Sequence, residues 1–227
     1  MNTNIKIDII SDVACPWCYV RKKNLEKAIA KLPEATITVN WHPYQLDPNI
    51  PAEGVDRMSY LVNKFGSKER YEQLVTHLKT AGKAAGIDFV DGNRIPNTMS
   101  LHRLLHVASQ EGFGNALKEA FFKAYFEEVV DLTKEEALVE IMATFGWDKA
   151  RTVSVLHDEE VAYQVKLAIN NAYNRNVSGV PYFIINDKYS LTGAQPPEVL
   201  MQAIQDIGAE LDREAEAAAC AIDDPNC

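Results

Sequence analysis

The sequence predicts an α/β fold, in which helices pack on a mixed sheet and a large all-helical insertion interrupts the chain. An apolar strand-like segment near the N-terminus is followed at once by a helical pattern. A long central region then repeats apolar residues at spacings of three and four, as helices do. Two short segments rich in β-branched and aromatic residues precede a last helix. This order of elements differs from that of a doubly wound parallel sheet.

The first elements are a strand, a helix and a second strand. Residues 5–10 form a short apolar strand pattern, and a helical run begins near Pro16 and continues to residue 32. Pro33 breaks that run. Residues 36–41 then alternate with period two, as expected of a half-buried strand.

The central region, residues 43–176, is predicted to be the helical insertion. Its first twelve residues are rich in proline, asparagine and aspartate and predict an irregular connection. Six segments with helical spacing follow: 57–65, 68–85, 101–110, 115–128, 134–145 and 159–174. Ser67 is a candidate N-cap for the second, and Thr133 with Glu136 forms a candidate capping box for the fifth.

The C-terminal part predicts a strand hairpin and two helices. Residues 182–186 and 189–192 are strand-like and are separated by only two residues. Residues 197–207 predict a core helix, and the alanine-rich acidic residues 210–221 predict a separate surface helix. We therefore expect a sheet domain formed by residues 1–42 and 177–207, the insertion at 43–176, and a C-terminal helical tail at 208–227.

Composition excludes several classes of function. The chain has 227 residues, of which 47% are hydrophobic and 24% charged, so it can bury a core without cross-links. Its formal net charge of −9 argues against nucleic acid and anionic membranes as partners. Neither a secretion signal nor a membrane span is predicted. The expected location is the cytoplasm, where a dithiol is more often catalytic than structural.

Residues 15–18 read Cys-Pro-Trp-Cys at the predicted start of the first helix. Spacing of i, i+3 brings two thiols within reach of a small disulfide ring, and Pro16 suits the first helical position. The free N–H groups and the dipole at a helix N-terminus favour a thiolate, so we expect a lowered pKa at Cys15. Cys15 is then the attacking sulfur, and Cys18 resolves the mixed disulfide that it forms.

A structural zinc site is the alternative for these cysteines. Such a site needs four ligands and usually a second close pair. The remaining cysteines, Cys220 and Cys227, are poorly spaced for that purpose. Redox chemistry is therefore favoured, and no metal is predicted.

Pro181 directly precedes the first strand of the hairpin. A proline at that position either forms a cis turn or simply starts the strand in the trans form. Next to a reactive Cys15 the cis form is favoured. The backbone of Val180 would then be presented to an extended peptide whose cysteine meets Cys15.

Motifs along nearly the whole chain resemble the DsbA-like branch of the thioredoxin superfamily, and most closely its FrnE-type thiol–disulfide oxidoreductases. Besides residues 15–18, the matching motifs are Trp-His-Pro-Tyr-Gln-Leu at 41–46, Ile-Pro-Asn-Thr at 95–98, Gly-Val-Pro-Tyr-Phe at 179–183 and Gly-Ala-Gln-Pro at 193–196. The resemblance implies a thioredoxin-like fold, attack by Cys15, resolution by Cys18 and a cis Pro181. It also implies a cytoplasmic oxidant or isomerase of protein disulfides, with glutathione or thioredoxin as candidate reductants.

The same branch includes the glutathione-dependent 2-hydroxychromene-2-carboxylate isomerases, in which serine replaces the first cysteine. This chain keeps Cys15, which favours dithiol exchange. Two alternatives stay open. One is a glutathione-dependent isomerase or transferase of small molecules, and the other is a zinc-binding or redox-sensing interaction protein that uses all four cysteines.

The remaining candidates are weaker. Cys220 and Cys227 could form a local disulfide across the turn-forming residues between them, and thus an auxiliary redox pair. His102 and His106 are four residues apart on a predicted helix but lack a third ligand, so packing or surface roles are favoured. No cofactor is predicted.

Overall fold

The computed structural model describes residues 4–193 and 195–223, which form six strands and nine helices. In chain order they are β1 (Asn4–Ser11), α1 (Pro16–Ile29), β2 (Thr36–Pro43), β3 (Val55–Asp56), α2 (Arg57–Phe65), α3 (Lys68–Ala85), β4 (Arg94–Ile95), α4 (Met99–Gln110), α5 (Gly114–Phe126), α6 (Glu135–Ala143), α7 (Lys149–Leu156), α8 (Glu159–Asn174), β5 (Tyr182–Ile185), β6 (Tyr189–Thr192) and α9 (Pro197–Asp223).

The main sheet is mixed, as predicted, with strand order β2-β1-β5-β6. Strand β1 pairs in parallel with β2 and antiparallel with β5, and β5 and β6 form the hairpin. Residues 7–11 of β1 are all buried because this strand is central and covered on both faces. Its carboxyl end is therefore held rigidly where the first loop begins.

Helices α1 and α9 pack together on one face of the sheet. Ile7 and Ile9 of β1 and Phe183 of β5 meet Leu25 of α1 and Ile204 of α9 in a continuous apolar core. The helical spacing in the sequence predicted these contacts, since it places the apolar side chains of each helix on one face.

A second core lies within the insertion, around Phe121 and Phe122 of α5 and Leu101 and Leu104 of α4. Residues from the start of α1, including both cysteines of the dithiol motif, belong to this core. The dithiol is therefore placed at the junction between the sheet domain and the helices of the insertion.

Three elements differ from the sequence expectations. Helix α7 was not predicted; Asp148 caps it by accepting a hydrogen bond from the backbone of Arg151. The short ribbon of β3 and β4 lies in stretches predicted to be irregular. The two predicted C-terminal helices are one continuous helix, α9, because Gly208 is buried within it against the side chain of Ile5.

Of the two predicted caps, one forms. The Ser67 hydroxyl accepts a hydrogen bond from the backbone N–H of Arg70 at 3.2 Å. Helix α6 instead begins after Lys134, without a side-chain cap, and the Thr133 hydroxyl donates to Asp131. The expected capping box of Thr133 with Glu136 is therefore wrong, because Asp131 competes for the threonine hydroxyl.

Ser67→Ala should lower the free energy of unfolding by about 1 kcal/mol, because it removes the cap of α3. Glu136→Ala, which a capping box would make comparably costly, should change that free energy by less than about 0.5 kcal/mol. Urea unfolding of the two variants measures both values. A larger loss for Glu136→Ala would mean that the box forms after all.

Among the described helices, none combines the length and the apolar character that crossing a membrane requires.

Candidate active site

The Cys-Pro-Trp-Cys motif begins helix α1, directly after the loop that follows β1. Cys15 is the N-cap residue in an extended conformation, and Pro16 occupies the first helical turn, where its missing N–H costs nothing. The backbone N–H of Cys18 donates to the carbonyl of Cys15 at 3.1 Å. The two cysteines are thus held one helical turn apart.

Both cysteines are free thiols and both are buried, Cys15 at 3% exposure and Cys18 at 1%. The Sγ atom of Cys15 lies 3.6 Å from the carbonyl oxygen of Val180, to which its S–H can donate. The Val180–Pro181 peptide bond is cis, as the resemblance implied. The hairpin and the motif, 165 residues apart in the chain, are therefore in contact.

An apolar groove of about 260 Å³ opens beside Cys15. Cys15, Trp17 and Val180 lie along one side of it. The insertion supplies the rest of its wall: Arg57, Leu61, Lys64, Phe65, Tyr71, Leu74, Val75, Leu78, Ile95 and Tyr125. Cys18 does not line the groove, so Cys15 is the sulfur that a molecule in the groove meets.

The tyrosine and leucines of α3 that line this groove follow helical spacing, which we would otherwise assign to core packing alone. Tyr71 and Leu78 are buried and Leu74 is half-buried, so they do pack. Their outer surfaces also form the wall opposite Cys15. The sequence signal for this groove is absent, because it depends on how α3 docks against α1.

The order of the two thiol pKa values is the reverse of the sequence expectation. The hydrogen bond with Cys18, together with burial, raises the pKa of Cys15 well above its ordinary value. Burial also opposes ionisation of Cys18, but interactions with Cys15, Ser11 and the positive charge of Lys118 outweigh it and lower the pKa of Cys18. The expected lowered pKa at Cys15 is therefore wrong for the closed pair. The two thiols share one negative charge, and it resides on Cys18.

A buried carboxylate, Asp12, follows β1 and lies immediately before the motif. It is 2% exposed and accepts hydrogen bonds from the backbone N–H groups of Leu46 at 2.7 Å and Ala14 at 3.3 Å. Burial raises the pKa of Asp12, but contacts with His102 and the Leu46 N–H outweigh burial and leave that pKa below its ordinary value. Asp12 is therefore an anion inside the site.

His102 is the side-chain partner of Asp12 and is equally buried. Its Nε2 lies 2.9 Å from the carbonyl oxygen of Tyr44 and 3.5 Å from the Oδ1 of Asp12. The prediction that His102 serves packing is correct in burial, but the contact with Asp12 was not foreseen. Within the described residues, no group of three or more possible metal ligands comes together.

Lys118 of α5 is the second residue that the sequence reasoning missed. It lies three and four positions before Phe121 and Phe122, so helical periodicity does place it on the apolar face. The structure confirms that position, with 1% of the residue exposed. A lysine within an apolar stripe was the available signal.

The proposed auxiliary pair lies outside the described part of the molecule. The backbone of Cys220 belongs to α9, but its side chain and all of Cys227 are not among the described residues. Their pairing stays a prediction.

The largest cleft of the described molecule, about 620 Å³, is on the sheet face covered by α8. Its lining includes Lys6, Asp8, His42 and Arg175 but no cysteine. Asp8 already accepts from Asn40 and contacts His42, each at 3.0 Å. The chemistry of the dithiol therefore lies in the smaller groove.

The chain is similar to known proteins over most of its length. It is 32% identical to a probable DsbA oxidoreductase from Streptomyces coelicolor, whose crystal structure superposes with a TM-score of 0.82 over 89% of each chain. It is 25% identical over 203 residues to the protein YwbO of Bacillus subtilis, covering 89% of this chain and 96% of that one.

A 2-hydroxychromene-2-carboxylate isomerase shares the fold, with a TM-score of 0.70, 18% identity and coverage of 93% and 98% of the two chains. Residues 6–205 match the DSBA-like thioredoxin domain as a whole. With its mixed sheet, its helical insertion and its dithiol at the start of α1, the chain belongs to the DSBA-like thioredoxin domain family.

Proposed function

We propose that the protein is a cytoplasmic thiol–disulfide oxidoreductase and isomerase that exchanges disulfides with cysteine-containing protein segments. The observation that carries this proposal is the placement of the two thiols. Cys15 lies in the wall of an apolar groove beside Val180, and Cys18 lies behind it, out of the groove. One sulfur is thus open to a substrate and the other only to its neighbour.

The exchange proceeds in two steps. The Cys15 thiolate attacks one sulfur of a substrate disulfide, which forms a Cys15–substrate bond while the second substrate sulfur leaves with the electron pair and takes up a proton. Cys18 then attacks the Sγ of Cys15, closing the Cys15–Cys18 disulfide and releasing the first substrate sulfur as a thiolate. Two electrons pass from the dithiol to the substrate, and the reverse sequence oxidises it.

The closed pair requires one preparatory proton shift. With the negative charge on Cys18, the proton between the two sulfurs must move from Cys15 to Cys18 before Cys15 can attack. A substrate that displaces the contact of Cys15 with the Val180 carbonyl favours this shift, because that carbonyl accepts from the thiol but repels the thiolate.

The groove favours segments with apolar residues next to the reacting cysteine. Its wall is mainly apolar, with Arg57 and Lys64 as its cationic members. The Val180 backbone stands beside Cys15, where an extended segment would pass. Reduced glutathione or thioredoxin would return the protein to the dithiol form.

The experiment is recovery of activity from scrambled ribonuclease by the wild-type protein in a glutathione redox buffer. We expect recovery, and we expect none from protein whose thiols have been blocked with iodoacetamide. Two results would overturn the proposal: no recovery while a small electrophile is turned over with glutathione, or one zinc ion per chain held by the purified protein.

A further inference from the structure

Lys118 is a buried cation that pairs with no anion within hydrogen-bond or ion-pair distance in the described part of the chain. Its Nζ lies 5.1 Å from the ring centre of Phe122 and 5.5 Å from that of Trp41. Lys22, the other buried lysine nearby, instead contacts Glu26 and, at 2.7 Å, Glu119. Burying an ammonium group without a partner is costly, which makes a functional role for Lys118 the natural explanation.

The site has two separate openings. Cys15 lines the apolar groove, whereas Lys118 lines a cleft of about 300 Å³ together with Trp41, His42, His102 and His106. No residue lines both. A substrate that fills the groove therefore leaves the cleft beside Lys118 open to solvent.

We propose that Lys118 accepts the proton of Cys18 when Cys18 resolves a mixed disulfide, and passes it to solvent through this second cleft. The inference deepens the proposed function and rests on it for the resolving step. It gives the groove and the cleft different tasks, substrate binding and proton exchange.

The charges around Lys118 suit this role. Burial lowers its pKa to about 8, and the negative charges of Cys18, Asp12 and Cys15 oppose that effect while Lys22 adds to it. His42, His102 and His106 face it across the cleft, from β2 and α4. Both protonation states of Lys118 are accessible near neutral pH, as a proton acceptor requires.

The step balances as follows. In the mixed disulfide, Cys18 is a thiol and Lys118 a neutral amine. The proton moves from the Cys18 sulfur to the Lys118 nitrogen, the Cys18 thiolate attacks the Cys15 sulfur, and the bond from Cys15 to the substrate breaks with its electron pair on the substrate sulfur. Lys118 then loses its proton to water in the cleft, since the disulfide carries no charge to retain it.

Reaction with the aromatic disulfide dithiobis(nitrobenzoate) separates the two cysteines. Attack by Cys15 releases the first coloured thiolate in a bimolecular phase, and attack by Cys18 releases the second in a unimolecular phase. Lys118→Met should slow the second phase about tenfold relative to the first, since one pKa unit at Cys18 is a factor of ten in its thiolate. Lys118→Arg, which keeps the charge but cannot accept a proton, should slow it too.

Lys22→Met is the matched control, because it removes a buried lysine one turn beyond Cys18 that is already paired; its two phases should keep the wild-type ratio. A second phase within twofold of wild type in both Lys118 variants would overturn the proposal.

A measurement on the wild-type protein avoids any variant that fails to fold. The Lys118 side-chain resonance should titrate at higher pH in the dithiol protein than in the disulfide protein, and equal titration would overturn the proposal. Ribonuclease recovery with an unaltered second phase in the variants would remove the role of Lys118 alone. A slowed second phase in a protein that recovers no ribonuclease would remove the proposed function alone.

Discussion

Replacing Cys15 by serine should abolish turnover of protein disulfides, with a loss of at least about a thousandfold. Cys15 is the cysteine in the groove wall, and a serine hydroxyl is not a nucleophile toward sulfur under these conditions. Cys18 remains in the variant but is buried behind the groove. Reduction of insulin, followed by precipitation of its free chains, measures the loss.

Cys18→Ser is the informative companion variant. It keeps the attacking sulfur and removes the resolving one, so mixed disulfides between Cys15 and substrate should accumulate and disappear on reduction. Mass spectrometry of the trapped peptides then identifies the substrate cysteines, which we expect next to apolar residues. Equal trapping by Cys15→Ser would show that the assignment of roles is wrong.

Asp12→Ala should destabilise the protein by about 3 kcal/mol or more at neutral pH, because it leaves buried partners without their acceptor. Those partners are the side chain of His102 and the backbone N–H of Leu46. Asp187→Asn is the control, since its ion pair with Lys6 is exposed, and it should cost less than about 1 kcal/mol. Urea unfolding of both variants at pH 7 measures the difference.

The effect of Asp12 should depend on pH with a definite sign. The pKa of Asp12 is lowered on folding, so its stabilising contribution is present above the ordinary carboxyl range and is lost as the pH falls through the lowered value. The stability of wild type and Asp12→Asn should therefore converge in acid. A gap that stays constant down to pH 2 would mean that Asp12 is already neutral in the folded protein.

Most of the secondary structure could be predicted from local patterns. The bounds of α2 and α3 coincide with the predicted segments 57–65 and 68–85, since glycine and serine mark their ends. Helix α7 was missed because it is only eight residues long and its capping aspartate was not recognised. The single course of α9 was missed because a glycine inside a helix normally argues for a break, and only packing against Ile5 explains why this one is tolerated.

The candidate site could be predicted only in part. Cys15, Cys18 and Pro181 carry short motifs, and the contact of Cys15 with Val180 follows from the fold that those motifs resemble. Asp12 and His102 are ninety residues apart in the chain, and no local pattern joins them.

The amino-acid sequence alone determined the mixed α/β architecture and the presence of a dithiol at a helix start, because strand alternation, helical spacing and the i, i+3 position of two cysteines are properties of neighbouring residues. Only the tertiary structure decided which thiol holds the charge and where its proton can go. Those properties depend on Val180, Asp12 and Lys118, which the packing of the insertion and the hairpin against α1 brings to the two sulfurs from distant parts of the chain. Electrostatic interactions act through space, so they follow the folded distances and not the order of the residues.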